Sequence, residues 1–278
     1  MNFRKIQWIF VIAFIFLDLF LLTTYLRQSD AITLMTDKSD ANTTTAILRN
    51  IKSDRIQYGH VSDEHSKGYY VSAPVDNSLR HETDKLHNQT TSFEDNILQA
   101  TFTTPIKVGQ TQQAARKKLA SLLADSSMIL HGDKYAYNAH LSSKDVMVYT
   151  QKFYDRPVLF KGGQIRFNIH DGYVDSYSQG YIAKYNTLRE EQVTLSQERA
   201  LIWLYQYKKI TSDSTVLWSQ LGYSRLLKAN GNRIYIPTWT FAVKNNVSGV
   251  VQYRRVNAFT GAIFNGDDNN ITVDDTEN

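Results

Sequence analysis

Residues 6–26 read IQWIFVIAFIFLDLFLLTTYL, and this stretch decides the architecture expected of the chain. Fourteen of its 21 residues are Ile, Leu, Val or Phe. As a helix it would be about 31 Å long, which matches a hydrocarbon core about 30 Å thick. The apolar residues favour insertion by about 4–8 kcal/mol, whereas the one acid, Asp18, costs about 2.5–3.5 kcal/mol. The stretch therefore predicts a transmembrane helix over Ile6–Leu26.

Two other interpretations of this stretch are a buried core helix and a cleaved signal peptide. A signal peptide usually has about 7–15 apolar residues and ends at a small-x-small cleavage site, whereas residues 24–27 read TYLR and offer no such site. Arg4 and Lys5 precede the span, and Arg27 alone follows it closely. The positive-inside rule therefore places residues 1–5 in the cytoplasm and the rest of the chain outside it.

Asp18 is an acid in the middle of the predicted span, where lipid offers its polar atoms no partner. Such a residue indicates a functional contact, here a hydrogen bond to another protein's membrane helix. Helical spacing gives it a predicted partner-binding face, whose other members are Phe14, Ile15, Leu21, Leu22 and Tyr25. The alternative is a protonated or snorkelling acid with no partner.

The composition of the whole chain is close to that of an ordinary globular protein. The chain has 278 residues, 42% of them hydrophobic and 21% charged, with a formal net charge of +4. Its lack of cysteines excludes disulfides, Cys-based metal sites and a Cys nucleophile. No run of five Lys or Arg occurs, so nucleic acid is not an expected partner. The sequence indicates no cofactor.

Beyond the span, the pattern predicts an α+β region built from two units, each a helix followed by an antiparallel meander. Residues 27–45 are polar and predict a stalk, and residues 268–278 a polar tail. We place the first unit at residues 46–188 and the second at 189–267. The predicted helices are Thr111–Ala124 and Ser196–Tyr207, the second with Ser196 as N-cap. The predicted strands are Lys134–Ala139, Asp145–Phe153, Gln164–His170, Tyr173–Tyr181, Thr215–Leu227, Arg233–Lys244, Val250–Ala258 and Ala262–Phe264.

Turn residues mark the ends of these strands. Asp171-Gly172 is a strong hairpin signal, and Asn257-Ala258-Phe259-Thr260-Gly261 resembles it in position within the second unit. Residues 81–96 are polar and predict a loop.

A search for catalytic or metal-binding patterns singles out few residues. His60 and His65 flank two acids but lack the His-Glu-x-x-His spacing of a zinc site. His170-Asp171 has no accompanying nucleophile motif. The strand-borne aromatic residues fit either a sheet core or a binding surface; these are Tyr235, Trp239, Phe241 and Tyr253. The sequence thus predicts no catalytic or metal-binding residue.

Several runs resemble the YycI (WalI) family, regulatory membrane proteins of low-GC Gram-positive bacteria. They are Asn50-Ile51-Lys52-Ser53-Asp54, Lys67-Gly68-Tyr69-Tyr70-Val71-Ser72-Ala73, Ile234-Tyr235-Ile236-Pro237-Thr238-Trp239 and Val256-Asn257-Ala258-Phe259-Thr260-Gly261. Asp18 in the middle of the predicted span and the polar stalk that follows the span also resemble this family.

The resemblance implies a non-catalytic membrane protein that pairs with a YycH-like protein and with the sensor histidine kinase (WalK/YycG-like) of a cell-wall two-component system. Its location would be the cell membrane, in contact with the lipid bilayer. The C-terminal run also resembles PepSY-type modules. An alternative function is therefore a cell-surface binding module for a peptide or a cell-wall fragment, and a third is an anchored hydrolase.

Overall fold

A computed structural model describes residues 7–8, 11–23, 39–75, 77–229 and 231–264, with the backbone alone for 39–42. The chain divides into two compact units, Met1–Ser53 and Asp54–Asn278. The predicted cytoplasmic tail, residues 27–38 of the predicted stalk and the predicted polar tail lie outside the described residues.

The first unit is helical where it is described. Residues 11–23 form helix α1 and Ser39–Ser53 form helix α2. Within the described ranges, no helix combines the length and the apolar character needed to span a bilayer. Because residues 6, 9–10 and 24–26 of the predicted span lie outside those ranges, the transmembrane helix stays a prediction.

The second unit is dominated by antiparallel sheets. Its helices are α3 (Ser78–His81), α4 (Gln112–Leu123) and α5 (Gln197–Gln206). Its strands are β1 (Lys67–Gly68), β2 (Val71–Pro74), β3 (Gln89–Glu94), β4 (Ile97–Lys107), β5 (Ala136–Tyr137), β6 (Val146–Thr150), β7 (Lys152–Phe153), β8 (Arg156–Pro157), β9 (Gln164–His170), β10 (Tyr173–Gln179), β11 (Asn186–Thr187), β12 (Gln192–Val193), β13 (Ser214–Ala229), β14 (Asn232–Asn245) and β15 (Val251–Asn257). The predicted mixture of helix and sheet is thus confirmed.

The first large sheet has the strand order β3-β4-β10-β9-β6-β5, and helix α4 covers one of its faces. Thr111 caps α4, since its hydroxyl accepts a hydrogen bond from the Ala114 amide at 3.2 Å. Leu119 of α4 is fully buried in the same core as Leu98 and Phe167 of the sheet. The apolar side chains on one face of the helix therefore pack against the apolar side chains that alternate along the strands, and together they form one core layer.

The second large sheet has the order β11-β2-β14-β13, and β15 also pairs with β14. Strand β2 pairs with the first part of β14, and β15 pairs with the second part. Ser196 caps α5 by accepting from the Arg199 amide at 3.2 Å. Two strands of this sheet, β2 and β11, come from residues before 188, and the division into two domains at that residue stays a prediction.

Residues 151–163 link the two sheets. The Leu159 amide donates to the Tyr223 carbonyl at 2.9 Å, and Val158 forms a parallel bridge with Tyr223 of β13. Phe153 lies with its ring centroid 5.3 Å from that of Tyr223 and 5.3 Å from that of Tyr235. All three rings are buried, so an aromatic core fixes this linker against the second sheet.

The predicted helices and most predicted strands agree with the structure to within a few residues. Strand β9 matches its predicted bounds. The Asp171-Gly172 turn has φ values of 51° and 80°, the two positive angles that a tight hairpin between β9 and β10 requires. The loop predicted over residues 81–96 is wrong, because β3 occupies Gln89–Glu94. Strand β3 is a polar edge strand and lacks the alternating apolar residues by which strands are recognised.

Tyr149 of β6 supports a prediction about alkaline pH. Its hydroxyl has no hydrogen-bond partner in the described part of the chain, and burial raises the pKa of Tyr149 from 10.0 to about 12. A phenol with a raised folded pKa contributes stability below the unfolded pKa and loses it as pH rises through the folded pKa. We expect Tyr149→Phe to keep or increase the free energy of unfolding at neutral pH, because no hydrogen bond is lost. The free energy of unfolding of this variant should also fall less steeply between about pH 10 and 12, as measured by urea unfolding at each pH. A decline as steep as in the unchanged chain would contradict this.

Candidate interaction surfaces

The predicted membrane face lies on helix α1 as far as the structure describes it. Asp18, Phe14, Ile15, Leu21 and Leu22 fall within residues 11–23, and Tyr25 lies outside the described residues. Because these residues are helical, positions three and four apart share one face. The exposed fractions are 60% for Phe14 and 54% for Leu21. The helix therefore holds the five residues in the predicted arrangement, and their contact with a partner stays a prediction.

Helix α1 is apolar around most of its circumference. The side chains of Phe16 and Phe20 on the opposite side are 67% and 65% exposed. The one polar side chain near its end, Thr23, donates its hydroxyl hydrogen to the Phe20 carbonyl at 2.8 Å, a bond that needs no water. A contiguous exposed apolar surface marks an interaction site with protein or membrane.

Two of the three histidines noted in the sequence lie near polar groups. His65 Nδ1 lies 2.8 Å from the Thr194 carbonyl oxygen. His170 lies at an exposed strand end, with Nε2 3.9 Å from a carboxylate oxygen of Asp175. Among the residues that the structure describes, no three His, Asp or Glu side chains converge as a metal site would require.

The four strand-borne aromatic residues mainly serve the sheet. Tyr235 and Phe241 are fully buried. The Trp239 indole donates to the Leu195 carbonyl at 2.8 Å, just before α5. Tyr253 lies beside Trp218, with ring centroids 5.7 Å apart. For Tyr235 and Phe241, the core interpretation is confirmed.

A different group of side chains forms a partly exposed cluster, which we call the tyrosine surface; it consists of Tyr69, Tyr154, Tyr185 and Thr187. The Tyr154 ring centroid lies 4.3 Å from that of Tyr69 and 5.8 Å from that of Tyr185. The Tyr154 hydroxyl also contacts the Thr187 hydroxyl. Tyr154 and Tyr185 are 38% and 37% exposed. Two exposed tyrosines and one half-buried tyrosine therefore form a continuous row of rings.

Tyr154 adopts a backbone conformation that an aromatic residue rarely takes. Its φ is 48°, in the left-handed region, within the turn between β7 and β8. Such a conformation costs about 1–3 kcal/mol and persists when surrounding contacts hold it. The contacts here are the Tyr69 and Tyr185 rings, and Tyr185 in turn packs on buried Phe153 at 4.6 Å. The exposed ring of Tyr154 is therefore held in place by the aromatic core below it.

Charged residues border the tyrosine surface. The Lys67 ammonium lies 3.2 Å from a carboxylate oxygen of Glu191, and the Tyr69 hydroxyl donates to the other carboxylate oxygen at 3.2 Å. This hydrogen bond raises the pKa of Tyr69, with smaller contributions from burial and from the charge of Glu191. The Arg189 guanidinium lies 5.4 Å from the centre of the Tyr70 ring. An aromatic centre with a polar rim is typical of protein interfaces.

Sequence reasoning missed the tyrosine surface because its members are far apart in the chain. Tyr69, Tyr154 and Tyr185 meet only after β2 and β11 pair and the β7–β8 turn folds over them. Single tyrosines carry no periodic signal. Tyr69 belongs to a run that resembles the family, and that run was the one available clue.

A family model, described as YycI protein, matches residues 35–259. This is most of the chain. The chain belongs to the YycI family. The match includes the tyrosine surface and both large sheets of this YycI chain, whereas helix α1 precedes it.

Comparison of this YycI chain with curated proteins finds no match. Solved structures that are similar to it include the following two. One is an uncharacterized protein from Eubacterium rectale ATCC 33656, with 11% sequence identity and a TM-score of 0.45, covering 76% of this chain and 89% of that one. The other is the Bacillus megaterium YpeB C-terminal domain, with 12% identity and a TM-score of 0.37, covering 80% of this chain and 94% of that one.

Proposed function

We propose that this chain is a non-catalytic, membrane-anchored regulator of a WalK/YycG-like sensor histidine kinase in a cell-wall two-component system. It would act together with a YycH-like membrane protein, through both transmembrane and extracytoplasmic contacts. The observation that carries this proposal is membership of the YycI family over residues 35–259. The family is one of regulators, and we propose no catalytic residue for this chain.

Helix α1 is the proposed anchor and the first contact. Its apolar side chains are exposed on all sides, as lipid or a partner helix would require, and the charges at the start of the chain favour a cytoplasmic N-terminus. Asp18 would hydrogen-bond to a neighbouring membrane helix. Such bonds contribute about 0.6–2 kcal/mol, enough to select a partner but not to hold it permanently.

The tyrosine surface is the proposed extracytoplasmic contact. Large aromatic side chains with polar tips account for much of the binding energy at protein interfaces, above all where they are already held in place. Tyr154 meets both conditions, since it is exposed and its ring is fixed by Tyr69 and Tyr185.

The mechanism is a shift of population between signalling states of the kinase. Binding changes the balance of two states only if the regulator has a higher affinity for one of them. A coupling free energy of about 1–3 kcal/mol changes activity about 5- to 150-fold. The regulator would contact the kinase at two places, one in the membrane and one outside it. If these two places differ in relative position between the two signalling states, the regulator binds more tightly to the state in which it can make both contacts.

Affinity purification of the tagged full-length chain from detergent-solubilised membranes tests the proposal. We expect a histidine kinase and a YycH-like protein to co-purify, identified by mass spectrometry. Purification with a peptide or cell-wall fragment and no kinase would favour the alternative of a surface binding module. Deletion of the gene for the chain should change the output of the kinase, and unchanged output would contradict a regulatory role.

The tyrosine surface leads to a prediction of its own. We expect Tyr154→Ala to weaken co-purification of the partner by about 5- to 30-fold, because loss of an interface aromatic costs about 1–2 kcal/mol or more. Tyr173→Ala is the matched control, since Tyr173 is 42% exposed on β10 of the other sheet. Equal recovery of the partner with Tyr154→Ala and with the unchanged chain would contradict the assignment of this surface.

A further inference from the structure

The end of the second large sheet at which β14 turns into β15 carries exposed apolar side chains. Val247 lies in this turn and is 84% exposed, more than any other large apolar residue that the structure describes. Val250, in the same turn, is 48% exposed. Single exposed apolar residues are common on protein surfaces, so the neighbours of these two valines decide what they indicate.

Hydrogen bonds hold this turn on the sheet. The Asn245 side-chain carbonyl accepts from the Val247 amide at 3.0 Å and from the Ser248 amide at 2.9 Å. The Asn246 amide donates to the Asp213 carbonyl at 2.8 Å, in the segment that precedes β13. The two valines are therefore exposed on a turn whose backbone is bonded to its neighbours.

The end of helix α5 lies beside the same segment. The Asp54 carboxylate accepts from the Tyr205 hydroxyl at 2.8 Å, and the Asp54 carbonyl accepts from the Asp213 amide at 3.1 Å. Shortly after Tyr205, Tyr207 is 63% exposed, and Lys208 is exposed next to it. An exposed aromatic ring and a cation therefore lie at the same end of the unit as the valines.

Positive charge predominates at this end. Its lysines are Lys208, Lys209 and Lys244. The Asp213 carboxylate accepts a hydrogen bond from the Arg55 guanidinium at 2.7 Å. Asp54, the other acid here, accepts from the Tyr205 hydroxyl. Cations therefore outnumber acids among these residues, and the surface is complementary to a partner with negative charge.

The chain enters the second unit at this end. The unit begins at Asp54, and the Gln57 amide donates to the carbonyl of Ser214, the first residue of β13, at 2.8 Å. The predicted span ends at Leu26, so residues 27–53 form the whole connection between the span and this unit. Along the chain, this end of the second sheet is therefore the one closest to the membrane.

These features match those of a surface that rests on a lipid bilayer. Tyrosine is enriched at the membrane–water interface. Apolar side chains bury at the boundary of headgroups and acyl chains, and lysines attract anionic lipids. We propose that this end of the second unit docks on the outer face of the membrane; the docking surface consists of Tyr207, Lys208, Lys209, Lys244, Val247 and Val250. The valines and the tyrosine enter the headgroup region, and the lysines contact anionic headgroups.

This inference rests on the membrane anchor of the proposed function, and on neither of its protein partners. The docking surface shares no residue with the tyrosine surface. A second contact with the bilayer would restrict the orientation of the second unit, because a unit held at two points cannot rotate freely about either of them.

Fluorescence quenching in vesicles tests the contact, and the absence of native cysteines allows a single label. The full-length chain is reconstituted into vesicles of phosphatidylcholine and phosphatidylglycerol that include a lipid with a nitroxide quencher near its headgroup. Ala229→Cys is the control for Val247→Cys, because Ala229 ends the 16-residue strand β13, about 50 Å from its first residue. That end also exposes Leu227 and Lys228 but receives no tether.

We expect a label at residue 247 to be quenched at least about threefold more than a label at residue 229, because docking would place it about 5–10 Å into the boundary. Flotation of the vesicles shows in the same samples whether the chain is anchored. Equal quenching at the two residues in a chain that floats would overturn the docking surface and leave the anchor intact. A chain that does not float would overturn both.

Removal of charge tests the lipid chemistry. We expect Lys208→Gln combined with Lys244→Gln to lower the ratio of docked to undocked chain by at least about tenfold, because each lysine near an anionic surface contributes about fivefold. Lys117→Gln with Lys118→Gln is the matched control that should leave the ratio unchanged, since both lysines are exposed on α4. Vesicles of phosphatidylcholine alone should weaken docking of the unchanged chain. Equal quenching at residue 247 in the two double variants, or no effect of phosphatidylglycerol, would overturn docking on anionic lipid.

Discussion

Replacement of Asp18 by leucine is expected to weaken association of the chain with its membrane partner by about 3- to 30-fold, which corresponds to about 0.6–2 kcal/mol for an interhelical hydrogen bond. The output of the partner kinase should change with it, because the coupling depends on the bound state. Asp18→Asn should keep most of the association, since its amide still offers a donor and an acceptor. The measurements are co-purification of the partner and kinase activity in membranes.

Loss of the anchor cannot explain the expected result with Asp18→Leu. Removal of the acid makes insertion more favourable by about 2.5–3.5 kcal/mol on the translocon scale. Phe16→Leu is the matched control, because residue 16 lies about 200° around the helix from residue 18. It should leave association and kinase output unchanged. If Asp18→Leu also leaves both unchanged, the acid has no partner and the proposed face is wrong.

The parts of the fold that depend on local sequence could be predicted. Helices α4 and α5 follow from apolar spacing and from the hydroxyl caps at Thr111 and Ser196, which act within one turn. The β9–β10 hairpin follows from Asp171-Gly172. Each of these features is determined by residues close together in the chain, so a single sequence was enough to predict them.

The parts that depend on distant residues could not be predicted. Strand β2 pairs with β14 across more than 150 residues, and no periodic pattern announces which strands will be neighbours. Strand β3 escaped recognition because its residues are mostly polar and show no apolar alternation, although Phe93 packs partly against the core. The tyrosine surface could not be predicted either, because it needs the β2–β11 pairing and because its single tyrosines show no periodic pattern. The membrane face could be proposed from sequence because helical spacing alone groups its residues, and its described members, residues 14–22, lie within about three turns of α1.

Gly261 is a residue at which a single added methyl group should have a large effect on stability. It ends the Asn257–Gly261 turn, where its amide donates to the Asn257 carbonyl at 2.8 Å. Its φ is 70°, and a Cβ atom there would lie 1.1 Å from Cζ3 of Trp203 on α5. Gly231 has a similar φ of 76° with nothing within 4 Å of a Cβ atom. The two glycines therefore separate the cost of the backbone angle from the cost of the collision.

We expect Gly231→Ala to lower the free energy of unfolding by about 1–2 kcal/mol, the cost of the left-handed conformation. Gly261→Ala should lower it by about 2–3 kcal/mol more, because the methyl group forces Trp203 and the end of α5 to move. For a unit of this size the added loss corresponds to about 4–12 °C in Tm, measured by thermal unfolding of the full-length chain in detergent. Trp203→Leu shortens the side chain that the methyl group meets, so the double variant Trp203→Leu with Gly261→Ala should lose less than the two single variants together. Equal losses at Gly261 and Gly231, or strict additivity with Trp203→Leu, would show that α5 does not pack against this turn.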